Sequence, residues 1–150
     1  MTKNNVLVDI LIAEDDDDDF FLMKEAMTEA HITNPIKRVK DGEELMSFLV
    51  KNKKEPHPSF TPGLILLDLN MPRKSGRETL SEIKSSADFR SIPVIVLTTS
   101  NADEDISQTY DLGVNSFIQK PLRHEQMVEF FAVMSKYWFH FVQLPQKKSP

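Results

Sequence analysis

Apolar positions in this chain come in short runs separated by stretches of helical period. Val6 to Ala13, VLVDILIA, is short, rich in β-branched residues and ends in acid, which predicts a buried strand. From Asp18 the period changes: Phe20, Met23, Met27 and Ala30 recur at helical spacing, and aspartates in the opening turn favour the positive end of the helix dipole by ~0.3–1 kcal/mol each. PIKRVKDG (35–42) predicts a second strand and turn, and EELMSFLV a second helix. KNKKEPHPSFTPG (51–63), with three prolines, predicts a loop. LILLDLN (64–70) has almost no polar relief, as expected of a central strand in a parallel sheet covered on both faces. After MPRKSG a helix fits RETLSEIKSS. IPVIVLTT (92–99) is a further buried strand, with its proline at the start where a missing donor is tolerated. DEDISQTYDLG predicts a helix stopped by Gly113, NSFIQKP a fifth strand, and Glu125 onward a long last helix. Strands alternating with helices in this way predict a single α/β domain: a doubly wound, five-stranded parallel sheet flanked by five helices.

Composition narrows the class. A chain of 150 residues suits one domain with a core that needs neither disulfides nor structural metal. The absence of cysteine excludes disulfides, thiolate zinc sites and cysteine nucleophiles, and makes the cytoplasm the expected compartment. His31, His57, His124 and His140 are scattered without ligand spacing and are expected on the surface or at helix ends. No apolar stretch approaches the roughly 18 residues of a membrane helix. A net charge of −5 without a basic stripe argues against nucleic-acid binding.

The acidic run from Glu14 to Asp19 changes the picture more than composition does. A solvated loop is its simplest reading. A calcium loop of the EF-hand type fails, because the glycine and glutamate that pattern requires would be Phe20 and Ala26. Open parallel sheets bind ligands outside the carboxyl ends of their strands, where strand order reverses. Here the first strand ends in Glu14 and Asp15, the third in Asp68, the fourth in Thr98 and Thr99, and the fifth in Lys120 and Pro121. Taken singly, each has an ordinary explanation as a cap, a β-former or a surface residue. The predicted fold carries them all to one edge. Two carboxylates ~4 Å apart repel by about 4 kcal/mol at an effective dielectric near 20, so three in one cleft call for a cation. All-oxygen ligands with room for waters and a phosphate suit Mg2+.

These residues resemble the receiver domain of two-component response regulators, a flavodoxin-like fold. The resemblance covers roughly residues 6 to 142 and rests on AEDD after the first strand, LLDLNMPRKSG around the third, VLTTS ending the fourth and FIQKP ending the fifth. KDGEE, the long loop before the third strand, LILLDLNMP and IPVIVLTTS look most like stand-alone regulators paired with bacterial phytochrome histidine kinases. The resemblance implies that Asp68 is the phosphoacceptor, attacking a kinase phosphohistidine to form an acyl phosphate. It implies that Glu14, Asp15, Asp68 and the backbone carbonyl of Asn70 hold Mg2+, and that Lys120 neutralises a phosphoryl oxygen. Asp16 to Asp19 then border the site and start the helix, with Asp16 within reach of a metal-bound water. A cis peptide between Lys120 and Pro121 is expected to aim the lysine. In the family the hydroxyl matching Thr98 swings to the phosphoryl group and the aromatic matching Phe117 turns inward, repacking the fourth helix, fifth strand and fifth helix. A static core aromatic is the other reading of Phe117. Thr99 is larger than the Ala or Gly often found there, which restricts access, while Asn70 and Ser100 occupy positions that tune phosphoryl lifetime.

The last helix carries Met127, Phe130, Phe131, Met134, Trp138 and Phe141 on one stripe, the expected core face, with Val128, Val133, Phe139 and Val142 off it. A second apolar face predicts a homodimer through the fourth and fifth helices, or docking of a kinase or target. Residues 1–5 are expected as a tail, 6–142 as the receiver domain with its C-terminal helix, and 143–150 as a polar tail too short for an effector domain, so that output is by contact or by phosphoryl relay. Among competing classes, haloacid-dehalogenase phosphatases place a general acid two residues after the nucleophile, where this chain has Asn70. No turnover beyond its own aspartyl phosphorylation and dephosphorylation is expected. A nucleotide or flavin module would want a glycine-rich loop where AEDDDDDFF stands. A phosphorylation-independent receiver-like interaction module is the remaining alternative, and every chemical position being filled weighs against it.

Overall fold

The computed structural model of the chain describes residues 8–145. The expected tail 1–5, the first two residues of the predicted first strand and residues 146–150 lie outside the described residues. In chain order the elements are β1 (Asp9–Ala13), α1 (Asp17–Glu29), β2 (Ile36–Val39), α2 (Gly42–Lys54), β3 (Pro62–Leu67), α3 (Gly76–Ser85), β4 (Val94–Thr98), α4 (Asp103–Asp111), β5 (Ser116–Gln119) and α5 (His124–Ser135). A π-helical turn, Lys136–Phe141, continues α5. The strands pair in parallel in the order β2-β1-β3-β4-β5, so the doubly wound five-stranded sheet is present as expected.

The near-continuous apolar runs follow from burial on both faces. Leu11, Ala13, Ile65, Leu67, Val94 and Val96 point into one core with α2 and α3; Ile10, Ile12, Leu64, Leu66, Ile95 and Leu97 point into a second with α1 and α5. Alternation along each strand therefore still exists, but both of its phases are apolar. The KDGEE stretch is a helix start: Asp41 Oδ1 accepts from the Glu44 backbone N–H at 2.8 Å, and Glu44 Oε2 accepts from the Lys40 N–H at 3.2 Å. Gly42 is required there, since a Cβ would strike Thr79 Oγ1 and come within 2.7 Å of the Lys74 carbonyl oxygen.

Two expectations shift. The second helix runs on to Lys54 through residues expected as loop, because Lys51, Lys53 and Lys54 suit the negative end of the helix dipole. Phe141, expected on the core face of the last helix, is 66% exposed, whereas Phe139, expected off it, packs against the core beside Trp138. The cause is the π-helical turn, whose wider winding rotates every later residue relative to the α-helical stripe of Met127, Phe131 and Met134. Val133, Tyr137 and Phe141 consequently form the exposed apolar line of this helix.

Candidate functional site

Strand order places the reversal between β1 and β3, and register puts their ends side by side: Ala13 is opposite Leu67, and Asp68 N–H donates to the Ala13 carbonyl at 3.1 Å. Glu14 and Asp68 thus leave adjacent strands together. The carboxylates of Glu14, Asp15 and Asp68 bring one oxygen each to within 4.8 Å of one another. Lys120 reaches in from the end of β5, where its N–H donates to the Thr98 carbonyl at 2.6 Å. Its Nζ lies 2.5 Å from Glu14 Oε1, 3.3 Å from Asp19 Oδ2 and 3.8 Å from Asp68 Oδ2.

Electrostatics here favours an added cation. Burial pushes Glu14 up to about 7, against the opposing hydrogen bond and charge of Lys120, and the Asp68 charge adds to the rise. Burial alone would lower Lys120, yet the Glu14 hydrogen bond and the charges of Glu14, Asp68 and Asp19 outweigh it and raise it. The lysine therefore keeps its charge, and Glu14 is the group that yields. One ammonium does not balance the cluster. A hard divalent ion fits the all-oxygen donor set, since it would hold Glu14 ionised and release Lys120 for another anion.

The remaining expected residues are distributed as follows. Thr98 is fully buried and, among the described residues, its Oγ1 has no hydrogen-bond partner. Asn70 is exposed in the loop after β3, and its N–H donates to Asp68 Oδ1 at 3.2 Å, orienting that carboxylate. Thr99 is exposed. Ser100 donates to Asp105 Oδ2 at 2.5 Å, and Asp105 is in turn paired with Arg77, so the β4–α4 loop is tied to both α3 and α4. Phe117 packs against the α2/α3 core, and its N–H donates to the Tyr110 hydroxyl at 3.2 Å. Asp16 caps α1, its Oδ1 accepting from the Asp19 N–H at 2.9 Å. The expected cis peptide before Pro121 is corrected: no cis bond occurs among the described residues. The trans form is the intrinsically favoured one, and the Thr98 hydrogen bond with the three carboxylate contacts already directs Lys120 into the cleft. Of the histidines, His31 ends α1, His57 lies in the loop before β3, His140 is exposed in the π-helical turn, and His124 meets Glu29 at 2.7 Å.

Sequence reasoning missed one contact and one participant. Asp19 borders the site as expected, but its pairing with Lys120, reached because a turn of α1 swings it back, is not specified by its place in the acidic run. Arg38 sat unremarked in β2; its Nε donates to the Glu14 carbonyl at 2.9 Å and its Nη1 to Asp17 Oδ1 at 2.7 Å. Period 2 in a strand aligned with β1 is the signal that places Arg38 beside Ile12, though only the sheet order reveals that alignment.

Comparison with known proteins agrees with this geometry. Response regulator Rcp1 of Synechocystis sp. is 38% identical over 136 residues, spanning 91% of this chain and 92% of its own. Among solved structures, the phosphorylated cyanobacterial phytochrome response regulator RcpA is 37% identical, with 93% of this chain and 99% of that one covered and a TM-score of 0.83. The Mn2+-bound form of Rcp1 is 35% identical at the same coverage, with a TM-score of 0.81. No helix among the described residues is long and apolar enough to cross a membrane. Residues 10–132 match the response regulator receiver domain, and the chain belongs to that family of two-component signalling proteins.

Proposed function

We infer that this receiver is a phosphoryl-accepting switch that takes its phosphoryl group on Asp68. The inference is carried by one observation: three carboxylates at the strand-order reversal, with Lys120 Nζ 3.8 Å from Asp68. An Asp68 carboxylate oxygen attacks the phosphorus of a phosphohistidine; the new O–P bond forms as the P–N bond breaks, and the imidazole nitrogen leaves with the electron pair. Glu14, Asp15, Asp68 and the Asn70 carbonyl would hold Mg2+, which when bound offsets phosphoryl charge. Lys120 moves its ion pair from Glu14 to a phosphoryl oxygen. The unpartnered Thr98 hydroxyl supplies the waiting donor, and its movement lets Phe117 turn inward against the α4–β5–α5 face. Asn70, Thr99 and Ser100 set how readily water reaches the acyl phosphate.

The donor is a sensor histidine kinase of the phytochrome class, a reading supported by the likeness to RcpA and Rcp1. A cytoplasmic site of action accords with the cysteine-free composition. The receiver unit spans residues 6–142, and its output passes through contact. The exposed line of Val133, Tyr137 and Phe141 with Tyr110 on α4 supports a homodimer through α4 and α5. A monomeric mass by light scattering at micromolar concentration, with and without phosphorylation, defeats the dimer.

Intact mass after incubation with acetyl phosphate tests the switch. A phosphate-sized, hydroxylamine-sensitive gain that requires Mg2+ and disappears in Asp68→Asn is expected. A gain that persists in Asp68→Asn overturns the assignment.

A further inference from the structure

Two adjacent residues supply carboxylates to the proposed cation site, and the peptide group joining them is Glu14–Asp15. That peptide stands where β1 ends and no further ladder hydrogen bond orients it. Its carbonyl accepts from Arg38 Nε at 2.9 Å, while the N–H of Glu14 donates to the Val39 carbonyl at 3.0 Å. Both backbone groups of Glu14 are therefore held from β2, one by the ladder and one by a side chain.

The guanidinium itself has little freedom. Only 16% of the Arg38 side chain is exposed, its Nη1 is bound to Asp17 Oδ1 at 2.7 Å, and its Cζ lies 4.8 Å from the centre of the Phe20 ring. Anchored at strand, helix and ring, the planar fork presents Nε to Glu14 in one orientation, which a lysine ammonium could not reproduce. Its remaining Nη2 is buried and, among the described residues, has no hydrogen-bond partner. Leaving such a donor buried is unfavourable, so the contacts to Glu14, Asp17 and Phe20 together hold the guanidinium in place.

We propose that Arg38 is a positioning residue for the cation site, fixing the plane of the Glu14–Asp15 peptide so that the two carboxylates converge on Asp68. The proposal rests on the functional reading above. An opposing effect must be weighed: a guanidinium near the site repels a cation. Asp17 already neutralises that charge at 2.7 Å, with Lys40 sharing Asp17 at 3.5 Å, so removing Arg38 mainly releases the peptide. Second-layer hydrogen bonds to metal-ligating groups commonly carry about 10–100-fold in metal affinity.

The test is Mg2+ titration calorimetry on the full chain for wild type, Arg38→Met, Arg38→Lys and Asp17→Asn, with melting measured in EDTA. Methionine keeps packing over Phe20 but has no donor; lysine keeps the charge but cannot serve both Glu14 and Asp17. Mg2+ binding at least tenfold weaker in Arg38→Met and at least threefold weaker in Arg38→Lys is the expected pattern, with a smaller loss in Asp17→Asn, which frees one anchor of Arg38 and unmasks its charge. A purely structural role lowers the melting temperature without moving the Kd of folded protein. Wild-type affinity in either Arg38 variant, or in Arg38→Lys alone should Arg38→Met not fold, overturns the proposal. A wild type that itself binds no Mg2+ overturns the functional reading and this inference with it.

Discussion

Gly76→Ala should weaken both the fold and the site, although helix propensity alone argues the reverse. Gly76 opens α3, and Ala is favoured over Gly within helices by about 1 kcal/mol. A Cβ at this position, however, would lie 2.5 Å from Leu69 Cα and 3.0 Å from the Asp68 carbonyl carbon, and would strike the Asp68 carbonyl oxygen as well. Every one of these neighbours is backbone, so no flexible side-chain tip can move aside, and about 1 Å must be opened between α3 and the strand end that carries Asp68. Forced overpacking costs about 1–3 kcal/mol, which set against the propensity gain leaves a net loss of up to about 2 kcal/mol. At roughly 2–4 °C per kcal/mol for a chain of this size, the melting temperature should fall by up to about 8 °C. Because the displaced backbone is that of Asp68, Mg2+ affinity should fall too. Scanning calorimetry with and without Mg2+ measures both. A variant as stable as wild type, with unchanged Mg2+ affinity, would refute the close approach on which the reasoning depends.

Further outcomes follow from the same geometry. Without metal, Glu14 holds its proton to about 7 in the folded chain but only to about 4.5 when unfolded, so the folded state binds more protons between those values. Stability of the metal-free protein should therefore fall as pH rises through that window, by up to about 3 kcal/mol, and a rise measured by urea denaturation in EDTA would contradict the burial argument. Mg2+ should reverse the trend, its apparent affinity increasing by up to about tenfold per pH unit below 7, which titration calorimetry in two buffers reads directly as proton release. Thr98→Val removes a buried hydroxyl without a partner among the described residues and should raise metal-free stability by about 1 kcal/mol while slowing phosphoryl uptake; a loss of stability would show that the hydroxyl is already satisfied. Gly113→Ala, at φ +102°, should cost about 1 kcal/mol in thermal denaturation and leave Mg2+ affinity unchanged.

Much of this was legible in the sequence for a physical reason. Parallel strands buried on both faces must be apolar throughout, so LILLDLN and IPVIVLTT announced the centre of the sheet, and what ended each strand announced the cleft. Glu14, Asp15, Asp68, Thr98 and Lys120 all lie at the sheet edge to which that logic assigned them. The pairing of Asp19 with Lys120 and the part played by Arg38 escaped because they depend on helix phase and on which strand neighbours β1, neither of which a local pattern contains. The π-helical turn escaped because its hydrogen bonds shift by one residue with no compositional mark, and with it went the facing of Phe139 and Phe141. Lys51 to Lys54 read as loop because charge and flanking prolines outweighed a helix end that favours them.

The Tyr110 hydroxyl on the Phe117 N–H has a consequence for polymerisation. A sheet with five parallel strands has two open margins, and an unpaired row of backbone donors there can recruit a strand from another molecule. At β5 the chain is only four residues long, and one of its outward donors is already taken by Tyr110. At β2 the margin carries Lys37, whose ammonium lies over the Phe48 ring, a charge that an incoming strand would have to desolvate. Both margins thus resist strand-to-strand, fibril-like growth even when the protein is crowded.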